Sequence, residues 1–407
     1  MLPPQTTNPL LRAARAANSV AFALQGFFLA VVLTELPQQR DKFGLTDTLI
    51  VAAVALLSLL AGVGSITAEK IALHFSSRTA LRIGLLLIAA AGVGVAFSPN
   101  KIVLFVTLGV YGLAVGIVDA GTNMQAVFIQ HGYGRFVLSS FYAAWSAGSI
   151  TGALFVAAFE GLHVSLRISI LTAVLVVLAG ALLAGPRLLG TQQAEAGPEE
   201  PEPTAAVPLR IFLAFGVIVA LAFAIDFAVG NWSALYLTDV LLSSSATAAL
   251  ALAAYQGASL VGRLTGDLWV RRFGPRAVVR GAAVVGSIGL LVVVTAPVPI
   301  AAIAGFLVAG IGLPLIVPLC FSEAGQLTSG RGLDALIARL NLFNYGGTIV
   351  GGVVVGVIAD ASNLRAGFVV PLIFAVVLIG CARAFHTRTG AAEVTAQPVA
   401  GHVSLDG

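Results

Sequence analysis

Twelve apolar runs divide the chain, near residues 17–36, 48–68, 80–98, 102–128, 139–159, 166–188, 211–237, 246–268, 278–296, 299–321, 336–359 and 366–385. Each reaches about 18 residues or more, enough for a helix to cross the hydrocarbon core of a bilayer. Stretches such as LLLIAAAGVGVAF show none of the alternation that a barrel strand needs. With no water in the lipid to satisfy backbone groups, helices are the remaining way across. The first run follows Arg12 and Arg15 and leads through TELPQQRDKF into the next without an A-x-A-like cleavage site, so it is read as a span and not as a signal peptide. The pattern predicts an all-α polytopic membrane protein with twelve transmembrane helices in two six-helix halves.

Composition sharpens this picture. Of 407 residues 58% are hydrophobic and only 10% charged, against roughly 25% charged in soluble domains. A net charge of +4 therefore bears on topology and not on nucleic acid. With the first residues placed in the cytoplasm, 16 basic residues fall on the inner face and five on the outer (Arg40, Lys42, Lys101, Arg167, Arg365), while Arg263 sits within a span. That asymmetry predicts a plasma (cell inner) membrane protein with both termini cytoplasmic. Cys320 and Cys381 have no CxxC-like neighbours, and no HExxH, GxSxG or P-loop occurs. No metal, cofactor or enzymatic activity is expected.

The longest polar break, GTQQAEAGPEEPEPTAAVP over 190–208, carries four glutamates and four prolines and reads as a solvated linker. It separates an N-terminal bundle (1–189) from a C-terminal bundle (209–388), followed by a tail (389–407). A shift of 198 residues lays Gly64 on Gly262, Thr67 on Thr265, Glu69 on Asp267, Phe75 on Phe273, Arg78 on Arg276 and Arg82 on Arg280. A shift of 199 lays Gly148 and Gly152 on Gly347 and Gly351. Two such halves in parallel repeat are one architecture of secondary transporters.

The segment GRLTGDLWVRRFGPR (262–276) resembles the signature loop of the major facilitator superfamily: a glycine, an acid at the helix end and a basic turn. Its first-half copy, GSITAEKIALHFSSR (64–78), keeps Gly64, Glu69 and Arg78 but has Ser76 at the turn glycine and Leu73 at a basic position. Within the superfamily the chain is similar to the fucose-permease-like and rhizopine-transporter-like branch, through GLAVGIVDAGTNMQ (112–125), SSFYAAWSAGSITG (139–152) and DFAVGNWSALYL (226–237). Relatives tend to carry histidine at Tyr142, glutamate at Asp226 and an arginine near Glu35. The resemblance implies that Gly262, Asp267, Arg271, Arg272 and Arg276, with Glu69 and Arg78, form a latch on the cytoplasmic gate. Physically, Gly262 permits close helix approach, Asp267 can accept hydrogen bonds from a neighbouring helix N-terminus, and the arginines suit the anionic inner surface.

Charges inside spans survive only if paired or facing a wet cavity. Asp226 lies 16 residues beyond Arg210, about 24 Å at the helical rise, near mid-bilayer. Asp119 lies 18 residues from Lys101, about 27 Å. Asp226 first, then Asp119, with Glu35 as a third candidate, are the expected proton-coupling groups. Polar and aromatic groups at depth (Gln25, Asn123, Tyr142, Trp145, Asn231, Trp232, Tyr255, Gln256, Asn341, Asn344, Tyr345) come from both halves and would suit a hydroxyl-rich ligand, with rings stacking and amides reading hydroxyls. Taken singly, each is equally explained by helix packing or, for Trp232, by the aromatic belt. Pro314 and Pro318 predict a bend in span 10. The expected function is secondary active transport by alternating access of a small polar solute, such as a sugar or sugar derivative, coupled to protons in a monomer within the lipid bilayer. Efflux of amphipathic compounds and a non-transporting membrane sensor are the alternatives.

Overall fold

The computed structural model describes residues 9–190, 207–328 and 330–386. The linker expected over 190–208 lies, from 191 to 206, outside the described residues, as does the tail from 387 onward. In chain order the helices are α1 (Pro9–Thr34), α2 (Leu36–Phe43), α3 (Asp47–His74), α4 (Ser77–Ala96), α5 (Lys101–Tyr133), α6 (Leu138–Gly161) and α7 (Leu166–Ala184). The second half continues with α8 (Leu209–Leu235), α9 (Ser245–Phe273), α10 (Pro275–Thr295), α11 (Pro299–Gly312), α12 (Ile316–Ala324), α13 (Gly330–Ala361), α14 (Leu364–Gly367) and α15 (Val369–Cys381).

Eleven of these segments are long and apolar enough to cross a membrane. The twelfth crossing is α9, whose 29 residues span the same thickness but whose polar content is raised by Arg263, Asp267, Arg271 and Arg272. A charged helix can cross because it packs on α6, α8 and α11, which bury Arg263 and Asp267, while Arg271 and Arg272 lie in its last turn. The short α2 is not a span: Pro37 follows the end of α1, and Gly44 closes the helix in the left-handed region at φ 60°. Pro314 breaks the tenth crossing into α11, a 3-10 turn over Leu313–Leu315, and α12. That is the bend expected there, since proline removes a backbone donor and crowds the preceding turn.

The two halves repeat in space as they do in sequence. A Cβ on Gly64 would strike the carbonyl of Leu113, and one on Gly262 that of Ile311, the same pair 198 residues on. Gly148 and Gly152 meet the carbonyls of Ala23 and Phe27, while Gly347 and Gly351 meet those of Ala220 and Ala224. Small residues at these crossings let backbones touch where lipid supplies no hydrophobic drive for association. Arg78 donates to the carbonyl of Pro186 at 3.1 Å, closing α7. Arg276 likewise donates to the carbonyls of Phe385 at 2.7 Å and Arg383 at 2.9 Å, closing the last helix. Both arginines thus bond to carbonyls of their own half. At the turns, Gly274 takes a positive φ of 81° before α10, whereas Ser76 is extended and caps α4 by accepting from the Thr79 amide at 3.2 Å. A serine cap does at one copy what the glycine does at the other.

Between the halves, α13 packs on α3 and α5, α9 on α6, and α12 on α5 and α6. The hydrogen bonds that join them run from mid-depth to the arginine-rich face, from which α1 starts and toward which α15 ends. Ser65 donates to the Ala338 carbonyl at 3.2 Å, Asn341 to Ser65 at 3.1 Å, and Gln130 to Ser322 at 2.7 Å. That face is shut.

Candidate functional site

Two carboxylates lie within the spans, one in each half; Asp119 is bonded directly to the opposite half, and Asp226 reaches it through Arg263. Asp119 lies in the middle of α5, in the stretch AVGIVDAGTNM, where small residues let neighbouring helices close in. Its carboxylate accepts from the amide of Gln25 on α1 and from the hydroxyl of Tyr345 on α13. Asn123, one turn on, donates to the Asp119 carbonyl at 2.9 Å and accepts from the Tyr142 hydroxyl at 2.9 Å. Asn341 donates to the Tyr345 oxygen at 3.4 Å. Gln25, Asn123, Tyr142, Asn341 and Tyr345, all named from sequence, thus form one network around Asp119. Among the described residues no ion pair reaches this carboxylate.

Asp226, on α8, accepts from the hydroxyl of Tyr255 on α9. Its second oxygen lies 3.6 Å from the guanidinium of Arg263, and the Asp226 side chain keeps 27% of its exposure. Arg263 is buried, donates to the Ser146 hydroxyl at 2.6 Å across the boundary between halves, and reaches the Pro314 carbonyl at 3.4 Å. Its guanidinium carbon lies 5.8 Å from the Tyr142 ring and 5.9 Å from that of Trp145, within cation–π range. Sequence reasoning missed Arg263 as a site residue. The signal was there: a guanidinium inside a span needs a partner, and Asp226 is the acid at matching depth.

Other expected residues are not brought into these networks. Asn231 is exposed and donates to the Phe227 carbonyl of its own helix at 2.9 Å. Trp232 lies where a Cβ on Gly356 would touch its ring at 3.0 Å, so it packs on α13. Asn344 accepts from Thr348, one turn further along the same helix, at its carbonyl at 3.0 Å. Gln256 is half-buried beside Tyr255. Glu35 is buried at the junction of α1 and α2, on the face opposite the arginines, where it accepts from Ser169 at 2.6 Å. Burial, with a smaller contribution from the negative charge of Glu160, holds its carboxyl above the usual range.

Of the residues expected to form a latch, Asp267 and Glu69 make contacts across the two halves. Asp267 accepts from the backbone amides of Ser139 and Ser140, each at 3.0 Å, at the N-terminus of α6. The acid thereby fills two of the donors that a helix start leaves open. Glu69 takes a different partner, receiving Arg339 through Nε at 3.1 Å and Nη2 at 2.7 Å. Arg272 stacks near Phe273 at 5.5 Å.

Comparison with known proteins bears on the fold and the family. Residues 211–404 match the family model described as Major Facilitator Superfamily. An uncharacterised MFS-type transporter of Yersinia pestis is 29% identical over 362 residues, covering 87% of this chain and 91% of the relative. Membrane protein MosC of Rhizobium meliloti is 27% identical over 391 residues, covering 94% and 92%. Among solved structures, the transporter FucP in its outward conformation superposes with a TM-score of 0.75 at 18% identity, over 91% of this chain and 98% of that one. The proton:xylose symporter XylE gives 0.71 at 14% identity, over 92% and 95%. At these identities the solved structures speak to the fold.

Proposed function

We propose that this major facilitator superfamily transporter moves a small polar, hydroxyl-bearing solute by alternating access, coupled to protons through Asp119. The observation that carries the reading is the Asp119 network. Its carboxylate is shared between α1, α5 and α13, so the two halves meet on it, and its partners are an amide and a phenol with no cation among the described residues. An uncompensated carboxylate is expensive at bilayer depth. The carrier therefore crosses between states cheaply only when a proton or a ligand compensates Asp119. Asp226, ranked first on depth alone, has the Arg263 guanidinium at 3.6 Å, a cation that Asp119 lacks among the described residues.

The arginine-rich face, taken as cytoplasmic on the basic-residue count, is closed by Asp267, Glu69 and the Gln130–Ser322 contact. This is an outward-facing arrangement. Amide and phenol groups from both halves supply hydroxyl recognition, and Trp145 supplies an apolar face. Two structural neighbours, the fucose:proton symporter FucP and the proton:xylose symporter XylE, lean the same way. The test is solute binding and counterflow with purified protein in proteoliposomes, across neutral sugars, polyols, sugar acids and amphipathic drugs. Exchange of a hydroxylated solute supports the reading; exchange of amphipathic drugs alone, with no polar solute moved, overturns it.

A further inference from the structure

We infer that the transported solute carries a carboxylate and that Arg263 is the group that receives it. The inference rests on the transport reading above and adds the charge of its substrate. Arg263 has five N–H donors in a planar fork, yet its environment uses them sparingly. One donor makes a short bond to the Ser146 hydroxyl at 2.6 Å, and Nε makes a long one to the Pro314 carbonyl at 3.4 Å. The Nη2 group lies 3.6 Å from the Asp226 oxygen, beyond a good charge-assisted hydrogen bond.

A guanidinium buried in a purely structural pair is normally locked by bidentate geometry, because desolvation is repaid only when the contacts are close. Glu69 and the largely exposed Arg339 show that bidentate geometry in the same protein, with Nε and Nη2 both on one carboxylate. Arg263 does not. Tyr142 and Trp145 flank it, each near 6 Å, which leaves the guanidinium edge as its means of meeting a further acceptor. Tyr255 donates to Asp226 independently, so Asp226 keeps a partner when the guanidinium turns toward a ligand. Arginine matches a carboxylate in two parallel bonds, and one guanidinium offers one such fork. The ligand class is thus a small hydroxylated monocarboxylate, such as a hexuronate or an aldonate. Hydroxyls would meet the amides around Asp119, and the carboxylate would meet Arg263 and Ser146.

The experiment measures binding to the purified full chain by thermal shift and by counterflow, comparing D-glucuronate, D-galacturonate and D-gluconate with D-glucose, D-galactose and D-glucitol. At least one acid is expected to bind tenfold or more tightly than its neutral counterpart. The charge-balanced double variant R263Q/D226N is expected to lose that preference while keeping its thermal stability and any weak neutral binding. R263K, which keeps the charge but loses the fork, is expected to retain part of it. Equal or tighter binding of the neutral sugars by the wild type overturns the inference and leaves the transport reading standing. A preserved acid preference in the folded double variant also overturns it. If neither class binds or moves, the transport reading falls and the inference falls with it.

Discussion

Glu69 and Asp267 lie 198 residues apart and each crosses to the other half: Glu69 grips Arg339 within α13, and Asp267 caps the start of α6 through Ser139 and Ser140. The two contacts are the same place in the repeat with different chemistry. Arg339 keeps 60% of its side-chain exposure, whereas Asp267 is buried on backbone donors. The closed face is therefore held unequally.

Asp267→Ala removes two charge-assisted bonds to buried donors, each worth roughly 1.5–3 kcal/mol. The ratio of inward-open to outward-open protein is expected to rise by at least about tenfold. A cysteine placed at buried Ala338, with Cys320 and Cys381 replaced by serine, reports this as faster maleimide labelling from the arginine-rich side. Unchanged labelling would remove Asp267 from the latch.

Glu69→Gln acts on a pair whose arginine is in solvent, and such pairs contribute roughly 0.2–1 kcal/mol. The same cysteine reporter is expected to respond by no more than a few-fold. The double variant E69R/R339E should restore the wild-type rate, which neither single reversal does. A Glu69→Gln effect larger than that of Asp267→Ala would reverse this ranking.

Gly347→Ala places a methyl on the carbonyl of Ala220, backbone against backbone, so α8 and α13 must separate. Overpacking of this kind costs about 1–3 kcal/mol, seen as a lower midpoint of thermal unfolding. Gly346, whose added Cβ meets open space, is the control: Gly346→Ala is expected to leave the midpoint unchanged or slightly raised. Equal loss at both positions would contradict the account of the crossing.

Glu35 supplies a pH test outside the membrane-spanning helices. Its carboxyl is held above the ordinary glutamate value by burial, so the folded protein binds this proton more tightly than the unfolded chain. The stability it contributes is full below the unfolded value and is lost as pH rises through the raised one. Wild-type thermal stability should decline across that window, while Glu35→Gln should be flatter. Parallel curves for the two proteins would contradict the assignment.

The repeat was legible because it is written in residue identity. Gly64 with Gly262 and Arg78 with Arg276 occupy corresponding contacts at the offset read from the sequence. Depth was legible too, since counting from a basic anchor at a helical rise of 1.5 Å puts Asp226 near the bilayer centre and Asp119 somewhat toward the arginine-rich side. Helix rotation was not. Asn231, Trp232 and Asn344 have suitable depth but turn to their own helix or pack against a neighbour, and a polar residue's facing depends on contacts far away in the chain. The pairing of Asp119 with Tyr345 joins positions 226 residues apart. Arg263 entered the topology count as an exception, although its partner Asp226 was already marked as a costly acid.

Coupling at Asp119 is tested most directly by accumulation in proteoliposomes under an imposed pH gradient, with Asp119→Asn beside the wild type and the solute identified by counterflow. The asparagine keeps a polar group of similar size for Gln25 and Tyr345 but cannot exchange a proton. The account predicts that the variant loses gradient-driven accumulation and retains counterflow exchange of preloaded solute. Accumulation by Asp119→Asn with the wild-type dependence on the pH gradient would contradict it.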